Sequence, residues 1–367
     1  MRACIVGGGL AGSLLAWRLA QVASGWDIDL VLGERRRADA TAASGGAVRA
    51  YESHPEQRRL AAASMAELLA SPTLRQWADY RQGGSVYLRH SAVGLGPEVA
   101  DIERMLPGSV RLAPAAELAR DGWAGLPAGA MAVRERCAGH TSPARLRDSV
   151  LADGAVRRRV AVADGAVAAI TPTGTGTVTV SRGPAGQSRE YDVVVVAAGA
   201  WTAALLRSCG LPAGGFRTKS IQYAVYPAGD WRPPQFVDEV TGLYGRPTDD
   251  GGLLLGLPTD QWDVDPDRPP STPALPEAAV RLARDRFPRL RIGPATRTVG
   301  SADCYADQPI LSLRPVTDTE HQLFTFSGGA GGSVKTALAA SHRAATQLVE
   351  SGHTTDLASV GRRKGQP

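Results

Sequence analysis

Three glycine-rich loops and the residues just after them carry most of the chemistry legible in this chain. Gly7-Gly8-Gly9-Leu10-Ala11-Gly12 has the spacing G-x-G-x-x-G. Gly7 permits a tight turn, Gly9 lets the backbone approach a pyrophosphate with Leu10 and Ala11 behind it in the loop, and Gly12 lets the following helix pack close to its strand. Glu34 stands 22 residues beyond Gly12, about where an acid meets ribose hydroxyls, with Arg35 beside it. A dinucleotide is therefore the expected ligand. A second loop, 40–46, is small enough for backbone amides, Gly45 and the Ser44 hydroxyl to approach a phosphate or a flat ring, and Arg49 follows it. The third, from Ser327 to Lys335, sets Gly328 and Gly331 before a helix and ends on a cation. Arg49 and Lys335 would each stand over such a ring, neutralising negative charge or holding a carboxylate. A solvated surface role is the alternative for both.

The elements that must position these loops can be read from periodicity. Arg2–Val6 is an apolar run of the kind a buried parallel strand shows, followed by a helix from Ser13 to Ala20 and a second strand, Ile28 to Leu32. Pro55 to Leu69 reads as a helix, with Glu56 at its favourable N-terminal end. At Gly83-Gly84 the pattern changes to a short strand, Ser85 to Leu88, that opens a different sheet; residues 94–129 show one helical patch near Pro114 to Leu118. Ser142-Pro143 starts another helix. Strands follow around Val160, from Val167 to Ile170 and from Val178 to Val180, and then Val193 to Val196 is dense enough to be buried on both faces, ending at Gly199 and Trp201. A second excursion holds antiparallel strands at Thr218 to Tyr226, Gly242 to Tyr244 and Gly252 to Gly256, a proline-rich loop at 266–276 and a helix from Ala278 to Phe287. Gln322 to Phe326 returns as a strand, with a helix from Thr336 to Leu348 and a polar, mobile tail beyond Gly352.

The expected fold is α/β: a Rossmann-like nucleotide domain with a parallel sheet, interleaved with a mainly antiparallel-sheet substrate domain. Residues 1–84, 138–212 and 304–352 form the first, 85–137 and 213–303 the second, and 353–367 the tail.

At 367 residues the chain is long enough for two such domains, and 43% hydrophobic content is ordinary for a globular protein. No run of about twenty apolar residues and no charged-then-apolar leader occur, so neither membrane span nor secretion is expected and the address is cytoplasmic. The net charge of +5 is carried by short arginine clusters without aromatic alternation, which argues against nucleic acid. Cys4, Cys137, Cys209 and Cys304 are widely separated, so neither a metal site nor a disulfide framework is expected.

Taken in order, six motifs resemble the flavoproteins related to D-amino acid oxidase, in the branch of monomeric sarcosine oxidase and glycine oxidase. They are G-G-G-L-A-G at 7–12, S-G-G-A-V-R at 44–49, D-V-V-V-V-A-A-G-A-W at 192–201, Y-G-R-P at 244–247 with G-L-L-L-G at 252–256, C-Y at 304–305, and S-G-G-A-G-G-S-V-K at 327–335. The resemblance implies FAD as cofactor, with Val167, Gly199 and Trp201 joining the loop residues in holding it. It implies oxidation of a carbon–nitrogen bond: hydride passes to flavin N5, an imine results, and oxygen reoxidises the flavin to give hydrogen peroxide. In the sarcosine branch a cysteine at the position of Cys304, with a tyrosine close behind as Tyr305 is here, is joined through sulfur to the flavin; a packed thiol is the alternative. Tyr244 matches a pocket tyrosine, with plain strand packing as its alternative. The arginine that helps hold the substrate carboxylate in that branch is replaced by Glu52, which is compatible with a cationic or amide-linked amine. The oxygen-activating lysine is replaced by Leu254. Those departures keep open an FAD-dependent dehydrogenase or tailoring desaturase acting on a larger natural-product amine. A non-catalytic flavin-binding subunit is the third possibility. Partners are a small-molecule amine and oxygen or another acceptor, in a monomer or small homo-oligomer.

Overall fold

A computed structural model describes residues 1–33, 39–174, 176–183, 186–316 and 322–363, with side chains through Ser351. Glu34 and Arg35 lie outside the described residues, as do 364–367 at the end of the expected tail.

The nucleotide half is a six-stranded sheet in the order Arg314–Pro315, Leu323–Thr325, Val193–Val196, Arg2–Val6, Asp27–Val31, Val160–Ala163. All pairings are parallel except at the Arg314–Pro315 edge. Side chains alternate across it. Ala3, Ile5, Ile28, Leu30, Val193 and Val195 face the helix Leu10–Val22 and the long helix Ala337–Arg363. Cys4, Val6, Val31, Val194 and Val196 face a three-stranded antiparallel sheet formed by Val167–Pro172, Val178–Arg182 and Gln187–Tyr191. Burial on both faces is why these strands read as unbroken apolar runs. The strand Gln187–Tyr191 escaped the sequence reading because only its last residue is buried. It is anchored by Tyr191 and Arg189 bonding to the Asp29 carboxylate.

The substrate half is an eight-stranded sheet in the order Arg297–Ala306, Phe216–Pro227, Gly252–Gly256, Tyr244–Pro247, Gln235–Asp238, Ser85–Arg89, Met131–Glu135, Val110–Pro114. One face packs on the helix Ala274–Arg286, where Phe236, Trp123 and Phe287 meet edge to face. Beneath them, the buried Arg286 guanidinium bonds Asp238 through Nε at 2.9 Å and Nη2 at 2.8 Å. That helix begins four residues earlier than its apolar pattern suggested, because Pro276 sits in its first turn, where the missing N–H costs nothing. Four of the eight strands, Arg297–Ala306, Gln235–Asp238, Met131–Glu135 and Val110–Pro114, were not read from the sequence. One of them, Arg297–Ala306, carries Cys304 and runs unbroken through the 303/304 boundary placed from sequence. No helix among the described residues is long and apolar enough to cross a membrane.

Candidate functional site

The first glycine loop is built for close backbone approach. Gly7 has φ +123°, and a Cβ there would strike the Ala197 carbonyl; a Cβ on Gly12 would strike the Gly7 carbonyl. Gly12 thus sets how closely the helix lies on its strand, as expected, and is not itself exposed to ligand. The Thr41 hydroxyl accepts the Leu10 N–H at 3.0 Å, and the Ser44 hydroxyl accepts the Gly46 N–H at 3.1 Å. Both loops are held in this way by the chain's own side chains. Across the sheet, the Ser327 hydroxyl accepts the Gly199 N–H at 3.2 Å and the Thr202 hydroxyl at 2.8 Å, tying the strand end at 196 to the third loop.

These loops open on one cavity of about 1050 Å³ that runs from the nucleotide sheet to the substrate sheet. Gly7, Gly9, Leu10, Ala11, Ser44, Gly45, Val167, Gly199 and Trp201 line it at the nucleotide side. Arg49, Tyr244, Cys304, Tyr305, Gly328, Gly331 and Lys335 line it too. Its volume exceeds that of a typical small-molecule pocket, about 300–1,000 Å³, leaving room for a dinucleotide and a small substrate. No histidine lines it among the described residues.

The charged group at the junction of loops and substrate sheet is a triad. Glu52 Oε1 lies 2.8 Å from Arg49 Nη2 and 2.6 Å from Lys335 Nζ, all three side chains being about one-tenth exposed. Burial would raise the Glu52 carboxyl, yet the two cations outweigh it and hold it below the usual carboxylate range. Burial, with Arg49 nearby, lowers the Lys335 ammonium. Arg49 is further held by Nε on the Tyr51 carbonyl at 3.0 Å and by the Tyr87 ring at 5.2 Å. Glu52 does not line the cavity. Its charge is consumed by its two neighbours, so it is not a counter-ion offered to a cationic substrate, as the charge reversal alone had suggested. Behind it, Glu135 accepts the backbone N–H groups of Ala50 at 2.7 Å and Tyr51 at 3.0 Å, coupling this loop to the substrate sheet.

Cys304 is buried beside Ala203 and Phe216, and burial, reinforced by Asp303, pushes its thiol up to about 12. Tyr305 is pushed up to about 12 by burial and packs edge-on against Trp262 at 5.1 Å. Tyr244 donates to the Gln222 carbonyl at 3.1 Å, and burial raises its hydroxyl further. Cavity residues missed in the sequence include Asp303, Gln235 and Arg246. Asp303 accepts the Cys304 N–H at 2.9 Å, and burial pushes its carboxyl up to about 6 despite that bond, the Gly332 N–H and Lys335. Gln235 and Arg246 stand on the substrate sheet with Leu254. Neither follows a glycine loop, and only the strand register brings them to the site. No group of acids, histidines and cysteines among the described residues could hold a metal.

No curated protein sequence matches the chain. Among solved structures it is similar to glycine oxidase from Geobacillus kaustophilus, at 18% identity and a TM-score of 0.73 over 95% of each chain. It is similar to L-proline dehydrogenase from P. horikoshii, at 16% identity and a TM-score of 0.74 over 95% of this chain and 93% of that one. FAD-bound L-α-glycerophosphate oxidase from Mycoplasma pneumoniae gives 18% identity and a TM-score of 0.76 over 95% of this chain and 94% of that one. The family model described as FAD dependent oxidoreductase matches residues 2–347. A loop in which Gly7 and Gly12 allow close backbone approach, a helix N-terminus lining the cavity and the cations Arg49 and Lys335 at its junction with the substrate sheet suit a dinucleotide with a flat, electron-accepting ring. By this match along nearly its whole length, on the corresponding fold, the chain belongs to the FAD dependent oxidoreductase family, with FAD as its cofactor.

Proposed function

We propose that this enzyme oxidises the carbon–nitrogen bond of a small amine or amino-acid-like substrate. The observation that carries the reading is the single cavity in which the glycine cradle meets a tyrosine- and leucine-faced substrate sheet across a buried cluster of net charge +1. Glycine oxidase and L-proline dehydrogenase share the fold and by name act on amino acids. The chemistry that FAD supplies when bound is acceptance of a hydride from the carbon next to the nitrogen, leaving an imine, with oxygen or another acceptor taking the electrons afterwards.

The chain's own contribution is placement and electrostatics. The cradle residues Gly7 to Gly12, Ser44 and Gly45 would hold the phosphates and ring, and Arg49 with Lys335 would stand against the negative charge that reduction adds. Leu254, Tyr244 and Tyr223 present a poorly hydrated wall. An ammonium substrate entering it sheds its proton by the same desolvation that lowers Lys335, and the freed lone pair is what the hydride departure requires. That process needs no histidine base.

The cations that remain beside the ring favour oxygen as acceptor, while Leu254, at the position of the oxygen-activating lysine, favours a dehydrogenase. Mixing the holoenzyme with glycine, sarcosine and proline without air tests the first step: bleaching of the flavin absorbance is expected with at least one member of this class. Admitting air and measuring peroxide then separates oxidase from dehydrogenase. No bleaching by any primary, secondary or cyclic amine would refute the proposal.

A further inference from the structure

We infer that Arg246, rather than the Arg49–Lys335 pair, anchors an anionic group of the substrate, on the cavity face of the substrate sheet. This rests on the proposed amine-oxidising reading and goes beyond it by naming the residue that selects a carboxylate-bearing amine.

The strand register makes the case. Phe236 pairs with Gly245 and Val237 with Tyr244, which sets Gln235 opposite Arg246, and Arg246 in turn pairs with Leu254. Neighbours across a sheet share a face. Phe236, Gly245 and Leu255 point into the aromatic core on the other side, so Gln235, Arg246 and Leu254 point toward the cavity, and all three line it. The Arg246 guanidinium is held by the backbone: Nε donates to the Gly45 carbonyl at 2.6 Å and Nη1 to the Pro247 carbonyl at 2.8 Å. Both acceptors are neutral backbone oxygens. Among the described residues no carboxylate lies within salt-bridge distance of Arg246, and Nη2 has no hydrogen-bond partner. A half-buried guanidinium with a free donor edge is a planar fork suited to a carboxylate. Beside it, the buried Gln235 side-chain oxygen has no donor, its amide nitrogen reaching only the Val48 carbonyl at 3.4 Å.

The competing cations are otherwise engaged. Arg49 and Lys335 share Glu52. Lys219 lies 4.6 Å from the Trp262 ring centroid and 5.7 Å from that of Tyr305, where two aromatic faces compensate its charge. An anion seated at Arg246 places an N–H or O–H of the same molecule within reach of Gln235.

The test uses calorimetric titration of the holoenzyme with three rigid probes: pyrrole-2-carboxylate, its carboxamide, and furan-2-carboxylate, which keeps the acid but lacks the N–H. Both acids should bind the wild type more tightly than the amide. Arg246→Gln should weaken the acids by about 10- to 100-fold, the usual effect of losing a charge-assisted bond, and leave the amide within about threefold. Arg246→Lys should restore part of the difference. Because Arg246 also holds Gly45, FAD content and melting temperature are read on each variant. Gln235→Met, which leaves that bond intact, should erase the preference for pyrrole over furan and spare acid over amide. Acid selectivity that survives Arg246→Gln, or that vanishes instead with Lys219→Met or Lys335→Met, overturns the assignment, as does a wild type that does not distinguish acid from amide. Arg246-dependent binding of the acids in an enzyme whose flavin no amine reduces would sink the proposed reaction and leave this anion site standing.

Discussion

Replacing Glu52 by Gln removes one negative charge from between two buried cations without changing shape. In the wild type a single oxygen, Oε1, meets both Arg49 Nη2 and Lys335 Nζ. Removing one partner of a buried ion cluster typically costs about 3–5 kcal/mol, because the remaining charges stay desolvated. Here the remaining charges are also alike, while the retained amide oxygen still accepts one bond, so about 3–4 kcal/mol is expected. Urea unfolding at pH 7, followed by tryptophan fluorescence, measures it. The pH dependence supplies an independent check. The folded Glu52 carboxyl is depressed below its ordinary value of 4.5, so its stabilisation is complete above that pH and fades as pH falls through the folded value. The gap between wild type and Glu52→Gln must therefore close in acid. Combining it with Lys335→Met should recover part of the loss, since the repelling pair is then gone. A variant within about 0.5 kcal/mol of wild type at pH 7, or a gap that persists undiminished in acid, refutes the reasoning about the triad.

Gly12→Ala should destabilise the fold by about 1–3 kcal/mol, as overpacking against a fixed carbonyl does, and the purified variant should lose FAD on gel filtration. Asp303 has a folded carboxyl raised from 3.8 to about 6, so its protonated form is the better tolerated one. Stability should fall by up to about 3 kcal/mol as pH rises from 4 to 6, and Asp303→Asn should flatten that slope in thermal melts across the range. If Cys304 is the flavin's attachment point, acid-precipitated wild type stays yellow and Cys304→Ala releases the colour to the supernatant; a colourless wild-type pellet excludes the bond.

What could be read ahead of the structure follows from range. The glycine loops at 7–12 and 327–335 declare themselves because the chemistry lies in consecutive residues, and Val193 to Val196 declares its burial by composition alone. Gln187–Tyr191 did not, since it faces solvent and only the ladder to its neighbour and the Asp29 anchor make it a strand. Glu52 was seen as a change of charge, but its partners come from opposite ends of the chain, and only their meeting shows that the charge is spent. Arg246 sat inside a recognised motif, Y-G-R-P, and was given no role of its own. Its position over the cavity depends on register with Gln235 and Leu254, which no local pattern encodes.

The order of strands in the nucleotide sheet also governs when the enzyme can come into being. Arg2–Val6 can close against Val193–Val196 only after the first domain excursion has been made, and that strand must await Leu323–Thr325. At about 5–20 residues per second, translation separates the first glycine loop from the third by on the order of tens of seconds. Val193–Val196 must spend the later part of that interval with one edge unpaired and the binding groove half built. Cofactor loading accordingly waits for Leu323–Thr325 and the glycine loop that follows it, and a chain cut short of residue 323 should carry no flavin.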